Sequence, residues 1–296
     1  MTAKYPLHMS TKCVESNEVI LENIQHTLTL GLPELHPLPI AHDGNFVLVG
    51  SGPSVAGEVE SIKRQKELGR PIIAIKQAHD WLLEHDIKPD MCVMLDPKER
   101  VIDRCIKKPV KGINYMIASQ SHPRMWEHLK GQNITVWHAW SLIGEDHYLQ
   151  GKMMVGGGTT TGLRAFNIGY LLGFRRFHMY GFDSCCPSKD GPKRVAGDMP
   201  ERLVEIWAGE RMFHCNPAMA AQANEFQRMI SMFGGTIRMK VYGDGLIAQI
   251  LKLRKEMGHD ELLIDEPGAP QKFHGNKMPS TAICDAPREM EAANAD

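Results

Sequence analysis

The sequence predicts an α/β fold: a doubly wound, mostly parallel, Rossmann-like sheet with helices on both faces. Three observations lead there. Short β-rich runs alternate with helix-patterned segments between residues 45 and 242, the order of βαβ units. Several runs, such as FVLV and PIIAI, are apolar throughout, as strands buried on both faces are. The segments between them repeat apolar residues every three or four positions, which gives each a face to lay on the sheet.

In chain order the strands are expected at 45–50, 71–76, 91–96, 113–119, 134–139, 176–182 and 236–242, and the principal helices at 58–68, 78–85, 163–172 and 218–233. Residues 12–32 read as a further helix, packed on the sheet or capping a cleft. The organisation that follows is an N-terminal helical extension over 1–44, a nucleotide-binding domain over 45–258 and a flexible tail over 259–296. In that tail Pro, Gly and polar residues take over.

Composition narrows the function. With 43% hydrophobic residues in 296, a sizeable core can form and global disorder is excluded. A net charge of -1 argues against a general nucleic-acid binder, which carries a basic surplus. No apolar run approaches the ~20 residues of a membrane span, and residues 1–18 lack a secretory apolar core. The seven cysteines are scattered, odd in number and without a CxxC pair. They read as reduced thiols of a cytoplasmic protein, with neither a disulfide framework nor a zinc site.

In open α/β sheets ligands bind at the carboxyl ends of the strands, so the loops there carry the chemistry. The first is Gly50-Ser51-Gly52-Pro53-Ser54. Gly50 and Gly52 permit positive φ and close approach of a ligand, Pro53 suits a first helical turn, and Ser54 adds a hydroxyl to free N–H groups that favour a phosphate. The alternative is a tight turn without a ligand. A third glycine and an acid after the second strand, which a dinucleotide site requires, are replaced by Val55 and Lys76-Gln77, and no P-loop occurs.

Gln77 is placed to read a base or ribose edge, whereas Asp80 reads as a helix cap. Asp96 ends an apolar strand, where an acid holds Mg²⁺ or a ribose hydroxyl or caps the next helix; Asp90 reads as a turn residue. Gly156-Gly157-Gly158-Thr159-Thr160-Thr161 precedes a helix and makes a nest of N–H and hydroxyl donors for an anion, with one threonine serving as cap. Asp183 ends another strand, followed by a polar stretch long enough for a lid, with Lys189, Lys193 and Arg194. His214 stands between that lid and a helix, where a histidine can act as general base. Cys215 beside it has no activating neighbour in the sequence.

Taken together, GSGPS, then AIKQAHDWLLEHDIKPDMCVMLDP, then GGGTTTGLRAFNIGYLLGFRRFHMYGFDS resemble the MptE-like family over about residues 45–250. That family includes archaeal 6-hydroxymethylpterin diphosphokinases and bacterial motility accessory factors linked to flagellin glycosylation with nonulosonic acids. A fainter similarity runs to small bacterial sialyltransferases, whose phosphate loop resembles 50–54 and whose strand–GxD element resembles 181–183. On that similarity His214 is the general base and Gly52 and Ser54 hold nucleotide phosphates, while Gln77 stands where these relatives usually carry Asn.

The resemblance implies a nucleotide-dependent transferase moving a nonulosonate-type sugar from a CMP- or similarly activated donor to an acceptor hydroxyl. His214 and Asp183 would be catalytic; Gly50–Ser54, Gln77, Asp96, Gly157, Gly158, Thr159 and Thr160 would bind nucleotide. The alternatives are Mg-ATP-dependent pyrophosphoryl transfer to a hydroxymethylpterin-like alcohol, with Asp96 as the ligand if Mg²⁺ is used, and a non-catalytic nucleotide-binding or assembly protein. The expected partners are a nucleotide and a small-molecule or protein acceptor, with a homo-oligomer as an option and no nucleic acid.

Overall fold

The computed structural model describes residues 2–4, 15–38, 40–195, 202–259 and 263–264. Eight strands form one sheet in which every neighbouring pair is parallel: β2 (His42–Val49), β3 (Ile72–Ile75), β4 (Met91–Met94), β5 (Asn114–Ala118), β6 (Asn133–Ala139), β7 (Met154–Val155), β8 (Phe174–Tyr180) and β11 (Arg238–Val241). Helices cover both faces: α1 (Asn17–Leu28), α2 (Val59–Glu67), α3 (Ala78–Glu84), α4 (Ile102–Cys105), α5 (Arg124–His128), α6 (Leu142–Asp146), α7 (Thr161–Leu171), α8 (Pro217–Phe233) and α9 (Leu246–Glu256). The seven expected strands and four principal helices are all present, with ends shifted by a few residues.

The unbroken apolar runs are apolar because each strand faces two cores. Phe46, Leu48, Ile73 and Ile75 join one cluster with α7 and α8, whereas Val47, Val49, Ile72 and Ala74 join another beneath α2 and α3. Side chains alternate across a strand, so only a doubly covered sheet demands apolar residues at successive positions.

The strand order is β11-β8-β2-β3-β4-β5-β6-β7. The chain therefore moves outward from β2 to β7 and then returns to the other side of β2. This puts the topological switch point between β2 and β8, where Rossmann-like folds place their ligands.

Beyond the unexpected eighth strand, β7, two further features depart from the expectations. Between the expected lid (184–201) and α8, where no strand was expected, the chain forms a hairpin, β9 (Val204–Ala208) and β10 (Arg211–Cys215), turning at Gly209-Glu210; β1 (Thr2–Lys4) adds to β9 as a second small sheet. Its signal is the alternation Val204, Ile206, Ala208 buried against Glu205 and Trp207 outside. The other departure is α9, which the tail-like composition beyond it concealed. Most of the expected flexible tail lies outside the described residues, but Ile264 donates its N–H to Met239 O on β11 at 3.1 Å.

The N-terminal helix does cap the sheet. Asn23 donates to Gln120 O at 3.0 Å and the Thr27 hydroxyl to Ser119 O at 2.8 Å, both beyond β5. The buried Asn23 amide finds its partners across this contact, which ties α1 to the carboxyl ends of the strands.

Candidate functional site

The carboxyl ends of β2 and β8 touch. Gly50 N–H donates to Tyr180 O at 2.7 Å and Gly52 N–H to Gly181 O at 3.0 Å. A Cβ at Gly50 would lie 2.7 Å from Gly181 O, and one at Gly52 would lie 2.3 Å from Asp183 Oδ2. Neither glycine has positive φ; Gly52 sits at φ -64 and ψ 151. The positive φ that glycine permits is therefore not used at Gly50 or Gly52, and their own N–H groups face the β8 loop. These positions need glycine because a second loop lies in van der Waals contact, and that loop takes both donors. Pro53 does occupy the first turn of a 3₁₀ helix, as expected.

Asp183 ties three segments together. One carboxylate oxygen accepts the Ser54 N–H at 2.9 Å, and its backbone carbonyl accepts the N–H of Leu246, the first residue of α9, at 2.8 Å. Burial raises the Asp183 carboxyl above the usual carboxylate range, against the opposing pull of the Ser54 donor.

Over these loops opens a cleft of about 1200 Å³. It takes in Ser51 and Gly52 after β2, Lys76 and Gln77 after β3, Asp96 after β4, Trp140 after β6 and residues 157–162 at the start of α7. The first turn of α8 also reaches it, with Asn216 capping that helix by accepting the Met219 N–H at 2.8 Å. Among the described residues Lys76, Arg164, Lys193, Arg194 and Arg202 line it against only two carboxylates, Asp96 and Asp183. Lys193, Arg194 and Arg202 come from the segment after β8, which is anchored where Val195 N–H donates to Ser51 O at 2.9 Å. That basic excess suits an anionic ligand.

The glycine-threonine loop is organised by a residue that sequence reasoning missed. Arg164, on α7, donates to Gly158 O at 2.6 Å, to Trp140 O at 3.2 Å and to Val155 O. Burial brings its guanidinium down to about 10. Gly157 and Gly158 do adopt positive φ, at 103° and 91°, a conformation open to glycine at little steric cost. The Thr159 N–H and hydroxyl both donate to Glu225 at 3.0 Å, so the expected anion nest already holds a carboxylate from α8. Thr160 is the cap, accepting from Leu163 N–H at 3.5 Å and from Gln222 at 3.1 Å.

Lys76 takes φ 54, a left-handed conformation that costs a side-chain-bearing residue about 1–3 kcal/mol. It places the ammonium 2.6 Å from Asp96. Gln77 is buried beside it at the start of α3. Asp80 and Asp90 serve structure: Asp80 accepts the Lys107 N–H at 3.0 Å and Asp90 the Ile72 N–H at 2.8 Å.

His214 is not in the loop where it was expected. It lies within β10, paired with Glu205 of β9, and its carbonyl accepts the Cys186 N–H at 2.8 Å. The cleft is lined from Asn216 onward and His214 is not part of it. The neighbouring Cys215 is buried, its thiol pushed up by desolvation and donating to Ser184 O at 3.1 Å.

A Mg²⁺ site fits this donor set poorly. Among the described residues no group of three His, Cys, Asp or Glu is placed to hold a metal ion. Asp96 is engaged by Lys76, which supplies the positive charge a cation would bring there, and Asp183 is engaged by Ser54 N–H.

With this geometry in place, comparison with known proteins gives the family. Residues 18–189, more than half of the chain, match the family described as 6-hydroxymethylpterin diphosphokinase MptE-like. The chain belongs to the MptE-like family. No curated protein matches it. Among solved structures, the MAf glycosyltransferase from Magnetospirillum magneticum AMB-1 is similar with a TM-score of 0.60 and 14% identity. The likeness covers 81% of this chain and 41% of that one, so this MptE-like chain spans less than half the length of that protein. At that identity the likeness shows a shared fold. A mammalian sialyltransferase in complex with Gal-beta-1-3GalNAc-ortho-nitrophenol aligns over 80% of this chain and 89% of its own, at 9% identity and a TM-score of 0.36. No helix among the described residues is long and apolar enough to cross a membrane.

Proposed function

We propose that this protein is a nucleotide-dependent transferase that moves a nonulosonate-type sugar from a CMP- or similarly activated donor to an acceptor hydroxyl. The observation that carries the reading is the basic cleft at the switch point, whose lining includes Lys193, Arg194 and Arg202 together with the β2 and β8 loops. Basic side chains there stabilise the charge that develops on a departing nucleotide phosphate. The glycosyltransferase sharing the fold is consistent with it.

In this reading the bond between the sugar and the phosphate oxygen breaks, the acceptor oxygen bonds the sugar carbon, and the acceptor proton passes to a base. Asp183 takes that role: it lines the cleft, and its raised pKa brings a carboxylate nearer to the strength a general base needs. His214, the base expected from the sequence, lies in β10 two residues before the lining residue Asn216. The test is Asp183→Asn, whose amide oxygen can still accept the Ser54 N–H. Turnover of a CMP-activated sugar should fall about 10²–10⁴-fold with CMP affinity nearly unchanged. Undiminished turnover would remove Asp183 from the mechanism.

The family description favours a second reading, pyrophosphoryl transfer from Mg-ATP to a hydroxymethylpterin-like alcohol. It requires a metal-dependent reaction and a preference for adenosine over cytidine nucleotides, which calorimetric titration of CMP and ATP with and without Mg²⁺ separates.

A further inference from the structure

The far end of the cleft has a different chemistry from the switch point. Trp140 directly follows β6, lines the cleft and is 47% exposed, whereas Trp81, Trp126 and Trp137 are buried. Leaving half an indole in water forfeits apolar burial that a ligand could recover. The cleft lining also includes the apolar Ile20, Pro97 and Ile143.

Its backbone is rigidly held. Trp140 N–H donates to Val155 O at 2.9 Å, and its carbonyl accepts from Arg164, which also holds Gly158 O. A ring presented from a fixed backbone has little entropy left to lose on binding. Trp140 follows β6, four strands along the sheet from β2, so with the donor phosphate at the switch point the β6 side of the cleft is the side left for a second reactant.

We propose that Trp140 is the wall of a ring-stacking subsite that takes the flat ring face of this second reactant, either an aromatic heterocycle or a pyranose. The assignment rests on the reading of the switch-point end as a nucleotide site. It narrows the acceptor to a ring-bearing alcohol.

The test is calorimetric titration of the full chain, as wild type, Trp140→Ala and Trp140→Phe, with CMP, 6-hydroxymethylpterin and methyl galactoside. The expected result is that CMP binds all three proteins alike. One ring probe should lose about 5- to 150-fold in affinity in Trp140→Ala and recover most of it in Trp140→Phe; which probe responds identifies the ring. Equal binding of both ring probes to wild type and Trp140→Ala would overturn the subsite, as would binding of CMP with neither ring probe. A loss confined to CMP would move the stacked ring to the nucleobase and overturn the assignment to a second reactant. Failure of CMP alone, with a Trp140-dependent ring probe, would remove the nucleotide reading and keep the stacking site. Failure of every probe would end both.

Discussion

Gly52→Ala isolates the contact between the β2 and β8 loops. The backbone of Gly52 suits any L-residue, at φ -64 and ψ 151, so the substitution acts through contact alone. The new methyl would sit 2.3 Å from Asp183 Oδ2 and 2.6 Å from Gly181 O. Relieving that overlap costs about 1–3 kcal/mol as overpacking. Displacing the Asp183 carboxylate from the Ser54 N–H adds about 1–3 kcal/mol for a buried group left unpaired. Restricting the unfolded chain returns about 0.4–1 kcal/mol, which leaves a net loss of about 1–5 kcal/mol. Urea unfolding followed by far-ultraviolet circular dichroism measures it. Gly57→Ala is the matched control, because nothing lies within 4 Å of its Cβ position and its φ is not positive; it should be neutral or slightly stabilising. If Gly52→Ala were as stable as Gly57→Ala, the contact argument for the loop would be wrong, and so would the account of why it contains glycine.

Two further outcomes follow from buried charge. Arg164→Met leaves the carbonyls of Trp140, Val155 and Gly158 without their donor and should cost about 3–5 kcal/mol; a loss below about 1 kcal/mol in urea unfolding would contradict the organising role of this residue. His178 bonds Tyr242 and Asn45 in the interior and is held down to about 3, chiefly by desolvation and then by the charges of Arg70, Arg176 and Lys240. The unfolded chain, titrating near 6.5, binds a proton there that the native state refuses. The stability this histidine confers is therefore complete above about pH 6.5 and is lost as the pH falls towards 3, at up to about 1.4 kcal/mol per pH unit. His178→Asn should flatten that slope, and an unchanged slope would show that His178 does not titrate on unfolding.

Much of this protein is local information. Continuous apolar runs such as FVLV and PIIAI predict doubly covered parallel strands because successive side chains must meet two cores. Pro53 announces a helix start by its own backbone chemistry. Gly157 and Gly158 likewise sit in left-handed turns that their composition foretells. The strand ends also point to the loops that gather around the cleft, including Ser51, Gln77, Asp96 and Asp183. The resemblance to the MptE-like family is carried by the order of those loops.

What the sequence could not supply is the pairing of groups distant along the chain. Gly50 and Gly52 read as phosphate-loop glycines, yet their reason lies about 130 residues away, in the carbonyls of Tyr180 and Gly181. Glu225 occupies the threonine donors from a different helix, and Lys76 meets Asp96 only because β3 and β4 are neighbours. The alternation in β9 was visible, but its hairpin drew His214 into a strand and away from the cleft lining. Arg164 looked like one more residue on an amphipathic helix until three carbonyls converged on it. Local propensity and burial period are written in neighbouring residues. Hydrogen-bond partners, steric limits and the sharing of a cleft depend on which strand lies beside which, and the strand order, doubling back at β2, decides that.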